Sequence, residues 1–248
     1  MGKTILITGA SSGLGAEMAR QFAALGYDLA LCARRSERLE ELRGEIIAAH
    51  PGRRVEVRQL DVNDHDRVFD VFRAFHADFG RLDRIVVNAG LGKGAPLGTG
   101  KFHANKQTAE TNFVAALAQT EAAAELLREQ GSGHFVMVSS VSALRGMPKN
   151  ITTYAATKAG VAHLAEGLRV DLLGTPIKVT VLYPGFIESE MSSRSPRTPW
   201  VVPTEAGVRA MVAAIEKEKA SARVPAWPWE PVGFALKHLP LSLARRFM

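Results

Sequence analysis

The fold is decided by the stretch Thr8-Gly9-Ala10-Ser11-Ser12-Gly13-Leu14-Gly15, which follows an apolar run and opens an amphipathic segment. Three glycines at this spacing allow a tight turn, a close approach of the backbone to a pyrophosphate, and tight packing of a helix on a strand. The N–H groups and the positive dipole end of the following helix would bind the phosphates. A glycine-rich turn without a ligand is the alternative, but its place between the first strand and the first helix favours a nucleotide site.

Outward from this turn, short apolar runs alternate with helical patterns along the chain. Several runs are continuous, as in Ile85-Val86-Val87, and strands buried on both faces of a parallel sheet have that composition. The predicted strands are 3–8, 28–33, 53–60, 83–88, 134–140 and 177–183. Amphipathic stripes between them predict helices on both faces of a doubly wound α/β sheet. No linker interrupts the pattern, so one domain is expected over residues 1–225.

The composition excludes several other classes of protein. The 248 residues include 31 Lys+Arg and 25 Asp+Glu, a formal net charge of +6, and 46% are hydrophobic, which excludes disordered and collagen-like chains. Basic and acidic residues are interspersed, which indicates solvated helix faces and no nucleic-acid partner. No apolar run reaches the ~18 residues of a membrane span. A single cysteine, Cys32, no metal-ligand spacing and a strand-like start without a signal peptide predict a cytoplasmic protein without a metal.

The second predicted strand ends in Ala33 and is followed by Arg34 and Arg35. A site for NAD usually has Asp or Glu near this position, where the carboxylate binds the ribose 2′-hydroxyl. Two guanidinium groups are available here instead, and they can bind a 2′-phosphate through charge-assisted hydrogen bonds. The sequence therefore favours NADP over NAD, with Arg34 as the main residue and Arg35 as the second, although both arginines would also suit the start of a charged helix.

Two further strand ends carry candidate cofactor residues. Asp61, followed by Val62, can accept a hydrogen bond from an adenine amino group, or it can cap the next helix. The small residues of Asn88-Ala89-Gly90 would let a flat ring and its ribose lie against the backbone, but an ordinary turn has the same composition.

Tyr154 and Lys158 stand four residues apart in a predicted helix, so their side chains project from one face. An ammonium group beside a phenol favours the phenolate and lowers its pKa from about 10 toward neutrality. An amphipathic helix with a solvent-reaching lysine is the alternative. The serines Ser139 and Ser140, at the end of the fifth predicted strand, add weight to the catalytic interpretation.

These elements, in this order, resemble the short-chain dehydrogenase/reductase family from about residue 3 to residue 215. The motifs that carry the resemblance are Thr-Gly-x3-Gly-x-Gly, Asp61, Asn88-Ala89-Gly90, Asn112, Ser140, Tyr154-x3-Lys158 and Pro184-Gly185. The resemblance implies a single Rossmann-like domain with a seven-stranded parallel sheet and a catalytic set of Asn112, Ser140, Tyr154 and Lys158. The residues expected at the cofactor are Gly9, Ser11, Ser12, Gly13, Leu14, Gly15, Arg34, Arg35, Asp61, Val62, Asn88, Ala89, Gly90, Tyr154, Lys158, Pro184, Gly185, Ile187 and Ser189.

The sequence departs from the family pattern in two places. The interval from Ser140 to Tyr154 is one residue longer than usual, which leaves Ser139 and Ser142 as competitors for the serine role, and strand-end placement favours Ser140. After Pro184-Gly185 the chain has Glu188 and Ser189, of which Ser189 can still bond a nicotinamide carboxamide.

The implied reaction is hydride transfer between NADP(H) and a small-molecule carbonyl or alcohol. Tyr154 would exchange a proton with the substrate oxygen, Ser140 would orient that oxygen, and Lys158 would lower the Tyr154 pKa and, by the resemblance, bind the nicotinamide ribose. Asn112 would hold a water linking Lys158 to solvent, or make only a local backbone hydrogen bond. The expected substrate contacts are Leu144, Met147, Phe186, Met191 and Trp200, which suggest an apolar or partly apolar ketone, aldehyde or alcohol.

The tail over residues 226–248 combines apolar and aromatic residues with Lys237, Arg245 and Arg246. It is expected to pack on its own domain or on a partner subunit, with contact to a membrane surface less favoured. The resemblance also implies a homodimer or homotetramer. Two other functions stay open: an NADP-binding regulator without catalysis, and a peripheral membrane or partner-binding protein that acts through the tail.

Overall fold

The computed structural model describes residues 2–190 and 200–244 of the chain. The strands are β1 (Thr4–Thr8), β2 (Asp28–Ala33), β3 (Val55–Gln59), β4 (Arg84–Val87), β5 (Gly133–Val138), β6 (Ile177–Pro184) and β7 (Ser221–Val224). The helices are α1 (Gly13–Ala24), α2 (Ser36–Ala49), α3 (His65–Phe79), α4 (Phe102–Ala109), α5 (Ala115–Gln130), α6 (Thr152–Asp171), α7 (Thr204–Glu216), α8 (Ala226–His238) and α9 (Leu241–Ala244). All strand pairs are parallel, in the order β3-β2-β1-β4-β5-β6-β7. The predicted seven-stranded, doubly wound α/β fold is confirmed.

The sheet has an apolar core on each face. Helices α1, α2 and α7 cover one face, with Phe22 and Met211 fully buried there. Helices α3, α5 and α6 cover the other face, where Phe72 and Phe135 are fully buried. The central strands β1 and β4 are buried along their whole length, which explains why their sequences read as continuous apolar runs.

Strands β3, β4 and β5 end before the residues that the sequence pattern predicts. The backbone N–H groups of Asn88 and Ala89 donate to Thr8 Oγ1, at 3.0 and 3.1 Å, and so leave the ladder of β4. Ser140 Oγ accepts from the N–H of Ser142 at 3.1 Å and begins a 3₁₀ turn over Val141–Leu144. Polar side chains therefore turn the chain out of the sheet at its carboxyl edge.

The order of the strands reverses between β1 and β4. From β1 the chain moves through β2 and β3 to one side, and from β4 it moves through β5, β6 and β7 to the other. In doubly wound sheets, ligands bind in the crevice beyond the carboxyl ends of the strands at this reversal. The loops after β1, β4 and β5, which carry most of the candidate residues, meet there.

Helix α8 packs against the end of β7 and against the 3₁₀ turn after β5. Arg223 of β7 pairs with Glu230 of α8, and the guanidinium of Arg145 donates to the carbonyl oxygen of Leu236 at 3.3 Å. Within residues 2–190 and 200–244, no helix combines the length and the apolar character needed to cross a bilayer. Over the same residues, no three His, Cys, Asp or Glu side chains cluster as a metal ion would require.

Candidate active site

The turn between β1 and α1 has no space for a side chain at two of its glycines. Gly9 has a φ of +67°, and a Cβ there would lie 2.9 Å from Ala89 Cα. A Cβ on Gly15 would lie 2.4 Å from the carbonyl oxygen of Gly9. The Ser12 side chain makes no capping bond to α1, so the first helical turn presents its backbone N–H groups at the loop. Such a cradle of backbone donors can hold a pyrophosphate.

Asn88 supports this turn from β4. Its side-chain amide donates to the carbonyl oxygen of Thr8 at 2.9 Å, while its backbone N–H reaches the Thr8 hydroxyl. The candidate residue therefore binds the glycine-rich turn itself and holds the ends of β1 and β4 together. Ala89 and Gly90 continue from it along the carboxyl edge.

Arg35 links the second strand end to the glycine-rich turn. Its Nε donates to Ser11 Oγ at 3.3 Å and its Nη2 donates to Ser12 Oγ at 2.6 Å. One guanidinium thus joins two hydroxyls of the loop that follows β1. Arg34 is exposed, and its backbone carbonyl oxygen accepts from the Gln59 side chain at 3.0 Å.

A carboxylate from a distant part of the chain lies against this arginine. The Nη1 of Arg35 is 3.1 Å from Glu190 Oε2, and Arg38, in the first turn of α2, pairs with the other Glu190 oxygen. Hydrogen bonds from Arg38 and Arg35 lower the pKa of the Glu190 carboxyl. Sequence reasoning missed both Arg38 and Glu190, because only the fold brings residues 152 positions apart into contact.

Asp61 makes a local turn at the end of β3. Its Oδ1 accepts from the backbone N–H of Asn63 at 3.0 Å and from the Asn63 side chain at 2.9 Å. The cap of α3 is Asp64, whose side chain accepts from the backbone N–H of Arg67 at 3.2 Å. Asp61 is exposed and Val62 is buried, so the Asp61 carboxylate lies at the surface beyond the carboxyl end of β3.

Tyr154, Lys158 and Ser140 come together where α6 passes the end of β5. The Nζ of Lys158 lies 5.9 Å from the centroid of the Tyr154 ring and donates to the carbonyl oxygen of Val138 at 2.9 Å. Ser140 follows β5, and its side chain lies near enough to the hydroxyl of Tyr154 to act on its pKa. The two halves of the predicted catalytic set, which come from separate elements, therefore share one site.

Burial acts on both ionisable groups of this cluster. It raises the pKa of Tyr154 above its ordinary value, and the nearby Ser140 side chain opposes that rise. Burial lowers the pKa of Lys158 from 10.5 to about 8. Lys158 is therefore still largely an ammonium at neutral pH. The sequence predicts a lowered pKa for Tyr154, whereas in this structure burial outweighs the neighbouring groups and the pKa is raised.

Asn112 lies in a π-helical turn, Glu110–Val114, between α4 and α5. Its Oδ1 accepts from the backbone N–H of Leu91 at 2.7 Å, and its Nδ2 donates to the carbonyl oxygen of Leu91 at 2.9 Å. A Cβ on Gly90 would lie 3.5 Å from both Asn112 Oδ1 and Lys158 Nζ. The asparagine thus fixes the loop after β4 beside the lysine. π-Helical turns often occur at functional sites.

The three candidate serines have different contacts. Ser139 Oγ donates to the backbone carbonyl oxygen of Lys158 at 2.7 Å and so fastens α6 to the end of β5. Ser142 is buried and contributes its backbone N–H to Ser140. Among them, Ser140 is the serine whose side chain acts on the pKa of Tyr154.

The stretch after β6 crosses toward the glycine-rich turn. The N–H of Gly185 donates to the carbonyl oxygen of Val224 at 2.9 Å. Ile187 is buried against Gly207 of α7, which anchors the middle of the stretch. The Cβ of Ser189 lies 3.5 Å from the position that a Cβ on Gly13 would take, so this serine reaches the turn after β1.

Several candidate substrate residues surround α8. The ring of Trp229 packs edge-on against Phe186, at 5.0 Å between centroids, and against Trp200, at 6.1 Å. Trp229 is 2% exposed and was not predicted from the sequence, which showed only that the tail is rich in aromatic residues. Leu144 packs on Gly233 of the same helix. Met147 is half-buried, and Met191 lies outside the described residues.

Comparison with known proteins shows the family to which the chain belongs. The sequence pattern of the short chain dehydrogenase family matches residues 3–200. An uncharacterised oxidoreductase of Mycobacterium tuberculosis is 54% identical over 98% of this chain and 96% of its own length. The structure of levodione reductase has a TM-score of 0.80 and 27% identity, over 89% of this chain and 94% of that one. The NADPH-dependent 3-quinuclidinone reductase of Rhodotorula rubra has a TM-score of 0.74 and 28% identity, over 84% of this chain and 82% of that one. The chain belongs to the short-chain dehydrogenase family of oxidoreductases.

Proposed function

We propose that this protein is an NADP(H)-dependent oxidoreductase that interconverts a ketone or aldehyde and the corresponding alcohol. The observation that carries the proposal is the juxtaposition of Ser140 and Tyr154 beside the buried Lys158, whose Nζ lies 5.9 Å from the centroid of the Tyr154 ring. It joins a proton donor, an oxygen-binding hydroxyl and a cation within one small site, which is the set of groups that carbonyl reduction needs. A protein that only binds a nucleotide has no need of this set.

The fold of the family binds nicotinamide cofactors, and solved structures of this fold hold NAD as well as NADP. The backbone cradle at Gly9 and Gly15 fits the pyrophosphate, since a side chain at either position would fill it. The preference for NADP(H) is supported by Arg35, which stands at the second strand end and reaches Ser11 and Ser12. We propose that these three side chains bind the 2′-phosphate.

The remaining cofactor contacts follow from position along the carboxyl edge. Asp61 would accept from the adenine amino group, and Ser189 would bond the nicotinamide carboxamide. Asn88 would act through the glycine-rich turn that it holds. When bound, the cofactor supplies or accepts the hydride.

In the direction of reduction, Ser140 would hold the substrate carbonyl oxygen by a hydrogen bond. Tyr154 would give its phenolic proton to that oxygen as negative charge develops, and Lys158 would stabilise the resulting phenolate. Asn112 would keep the loop at Leu91 in place beside Lys158. In oxidation Tyr154 would act as the base.

The substrate is proposed to be apolar or partly apolar. Phe186 and Trp200 pack on Trp229 of α8. Leu144 packs on Gly233 of the same helix, and the three side chains would form apolar walls of the substrate site. The reductases named for levodione and 3-quinuclidinone support carbonyl reduction as the reaction class.

We further propose that residues 1–225 form the cofactor and catalytic domain and that residues 226–248 extend it, in a cytoplasmic homodimer or homotetramer. The exposed apolar side chains Phe113 and Val114 of the π-helical turn and Leu117 in the first turn of α5 support an interface between subunits. Helix α8 packs on its own chain, which supports a role for the tail at the substrate side.

The decisive experiment is a panel of cyclic and open-chain ketones and aldehydes with NADPH, followed by loss of nicotinamide absorbance. Turnover of any member that is abolished in a Tyr154→Phe variant would support the proposal. NADPH binding without turnover of any member would instead favour a regulator without catalysis.

A further inference from the structure

Glu190 places a carboxylate where the proposed function puts a phosphate. The side chain approaches the end of β2 from the stretch after β6, and its two oxygens contact the guanidinium groups of Arg35 and Arg38. Arg35 at the same time holds the hydroxyls of Ser11 and Ser12. Two cations on one carboxylate, with two hydroxyls bonded to the first of these cations, form a group of side chains that also suits a phosphate monoester.

We propose that Glu190 is a specificity-determining residue that stands in for the 2′-phosphate of NADP(H) on Arg35 and Arg38 and is displaced when that phosphate binds. The inference rests on the proposed function, because it takes these arginines as the 2′-phosphate site. It adds Arg38 to that site, and it assigns to Glu190 a role that no sequence motif indicates.

The geometry allows such an exchange. The side chains of Arg35, Arg38 and Glu190 are 41%, 49% and 55% exposed, so an incoming phosphate reaches the arginines from solvent. Exposed ion pairs contribute little individually, which makes the contact one that a dianionic phosphate can replace. The contact also keeps the two guanidinium groups close together, in spite of their mutual repulsion, before the cofactor arrives.

The two nicotinamide cofactors should respond differently to this carboxylate. The 2′-phosphate of NADPH has to displace Glu190, so part of its binding free energy is used to break the two ion pairs. NADH carries a 2′-hydroxyl and leaves Glu190 on the arginines. Removing the charge of Glu190 should therefore strengthen NADPH binding selectively, by about 2- to 10-fold if each exposed pair has an ordinary strength.

The test is isothermal titration calorimetry of the full chain with NADPH, NADH and adenosine 2′-monophosphate at low ionic strength. The variant E190Q should bind NADPH and adenosine 2′-monophosphate about 2- to 10-fold more tightly than the wild type, with NADH unchanged. The matched control is E188Q, because Glu188 is exposed, lies two residues earlier and has no arginine contact among the described residues. This control should leave all three affinities unchanged.

Equal shifts for NADPH and NADH in E190Q, or no shift for either, would overturn the inference. A second variant, E190A, should reproduce the selectivity, and combining E190Q with R35A and R38A should remove its effect. The readout separates this inference from the proposed function. A selective shift without turnover of any carbonyl contradicts only the oxidoreductase proposal, whereas turnover without a selective shift contradicts only the role of Glu190.

Discussion

The hydroxyl of Tyr154 is the group on which the proposed chemistry depends most. Tyr154→Phe removes the transferable proton and keeps the ring, so we expect turnover to fall by at least about 100-fold, the usual contribution of general acid catalysis. Binding of NADPH should stay within about 2-fold of the wild type, because the phenol is not a main cofactor anchor. Steady-state kinetics and calorimetry measure the two effects.

Tyr183 offers a matched control for that experiment. It lies on β6, and burial raises the pKa of its hydroxyl. The charged groups that act on this pKa, Glu166, Arg169 and Arg223, lie outside the cluster of Ser140, Tyr154 and Lys158. Tyr183→Phe should retain most of the activity. If Tyr154→Phe keeps as much activity as Tyr183→Phe, Tyr154 is not the proton donor.

Arg35 is expected to determine the preference for NADPH over NADH. Arg35→Ala removes the guanidinium that contacts Ser11 and Ser12, and the loss of a charge-assisted phosphate bond, about 1.5–3 kcal/mol, would narrow the preference for NADPH over NADH by about 10- to 150-fold. Arg34→Ala is the control, since Arg34 is exposed and does not reach the glycine-rich turn in the described contacts. The ratio of kcat/KM for the two cofactors is the measurement. A larger effect of Arg34→Ala would reverse the assignment of the two arginines.

At the scale of the elements, the tail is joined to the end of β6 by a close contact between a glycine and an aromatic ring. A Cβ on Gly185 would lie 1.9 Å from the Nε1 of Trp229, so no other residue fits there while the indole keeps its place. Gly185→Ala should lower the free energy of unfolding by about 1–3 kcal/mol, as overpacking of a core commonly does. Urea unfolding measures this change.

The reason for that loss can be separated from a general effect of alanine. In a chain that already carries Trp229→Ala, the same change at Gly185 should cost much less, because the obstructing ring is gone. Gly44→Ala is the control, since Gly44 lies within α2 with open space around it, and alanine there should raise the free energy of unfolding by about 0.5–1 kcal/mol. An equal cost of Gly185→Ala with and without the Trp229 ring would contradict the contact.

The elements also show which features a sequence can predict. Strands such as β1 and β4 were predicted because a strand that is buried on both faces has a continuous apolar sequence, which amphipathic helices and loops do not have. Motifs within one turn or one helix, such as Tyr154 and Lys158, were predicted because their spacing fixes their relative position. The contact of Glu190 with Arg38 and the packing of Trp229 on Gly185 were not, because only the folded chain brings these distant segments together.

For the whole molecule, a buried polar network lies at the edge of the sheet opposite the site. The guanidinium of Arg84 is 4% exposed and lies 3.1 Å from Glu216 and 3.0 Å from His134 Nδ1. The His134 Nε2 lies 2.8 Å from Thr180 Oγ1, and that hydroxyl donates to the carbonyl oxygen of Lys219. Because Arg84 can only donate, Nδ1 must accept and Nε2 carries the proton. The network therefore requires a neutral imidazole.

The neutral His134 predicts a specific loss of stability in acid. Burial, together with the charge of Arg84, lowers the pKa of His134 from 6.5 to about 3 in the folded chain. Between these two values the unfolded chain binds a proton that the folded chain does not, so stability rises with pH across this window and falls on acidification. From pH 7 to pH 5 this one group should cost about 2 kcal/mol of unfolding free energy.

Urea unfolding at the two pH values measures this loss. In His134→Gln the loss between pH 7 and pH 5 should be smaller than in the wild type by about 2 kcal/mol, whatever the variant's stability at pH 7. The control His163→Gln changes an exposed histidine, and its unfolding free energy should fall between pH 7 and pH 5 by as much as that of the wild type. If His134→Gln loses as much as His163→Gln, the acid sensitivity of the fold lies elsewhere than in this network.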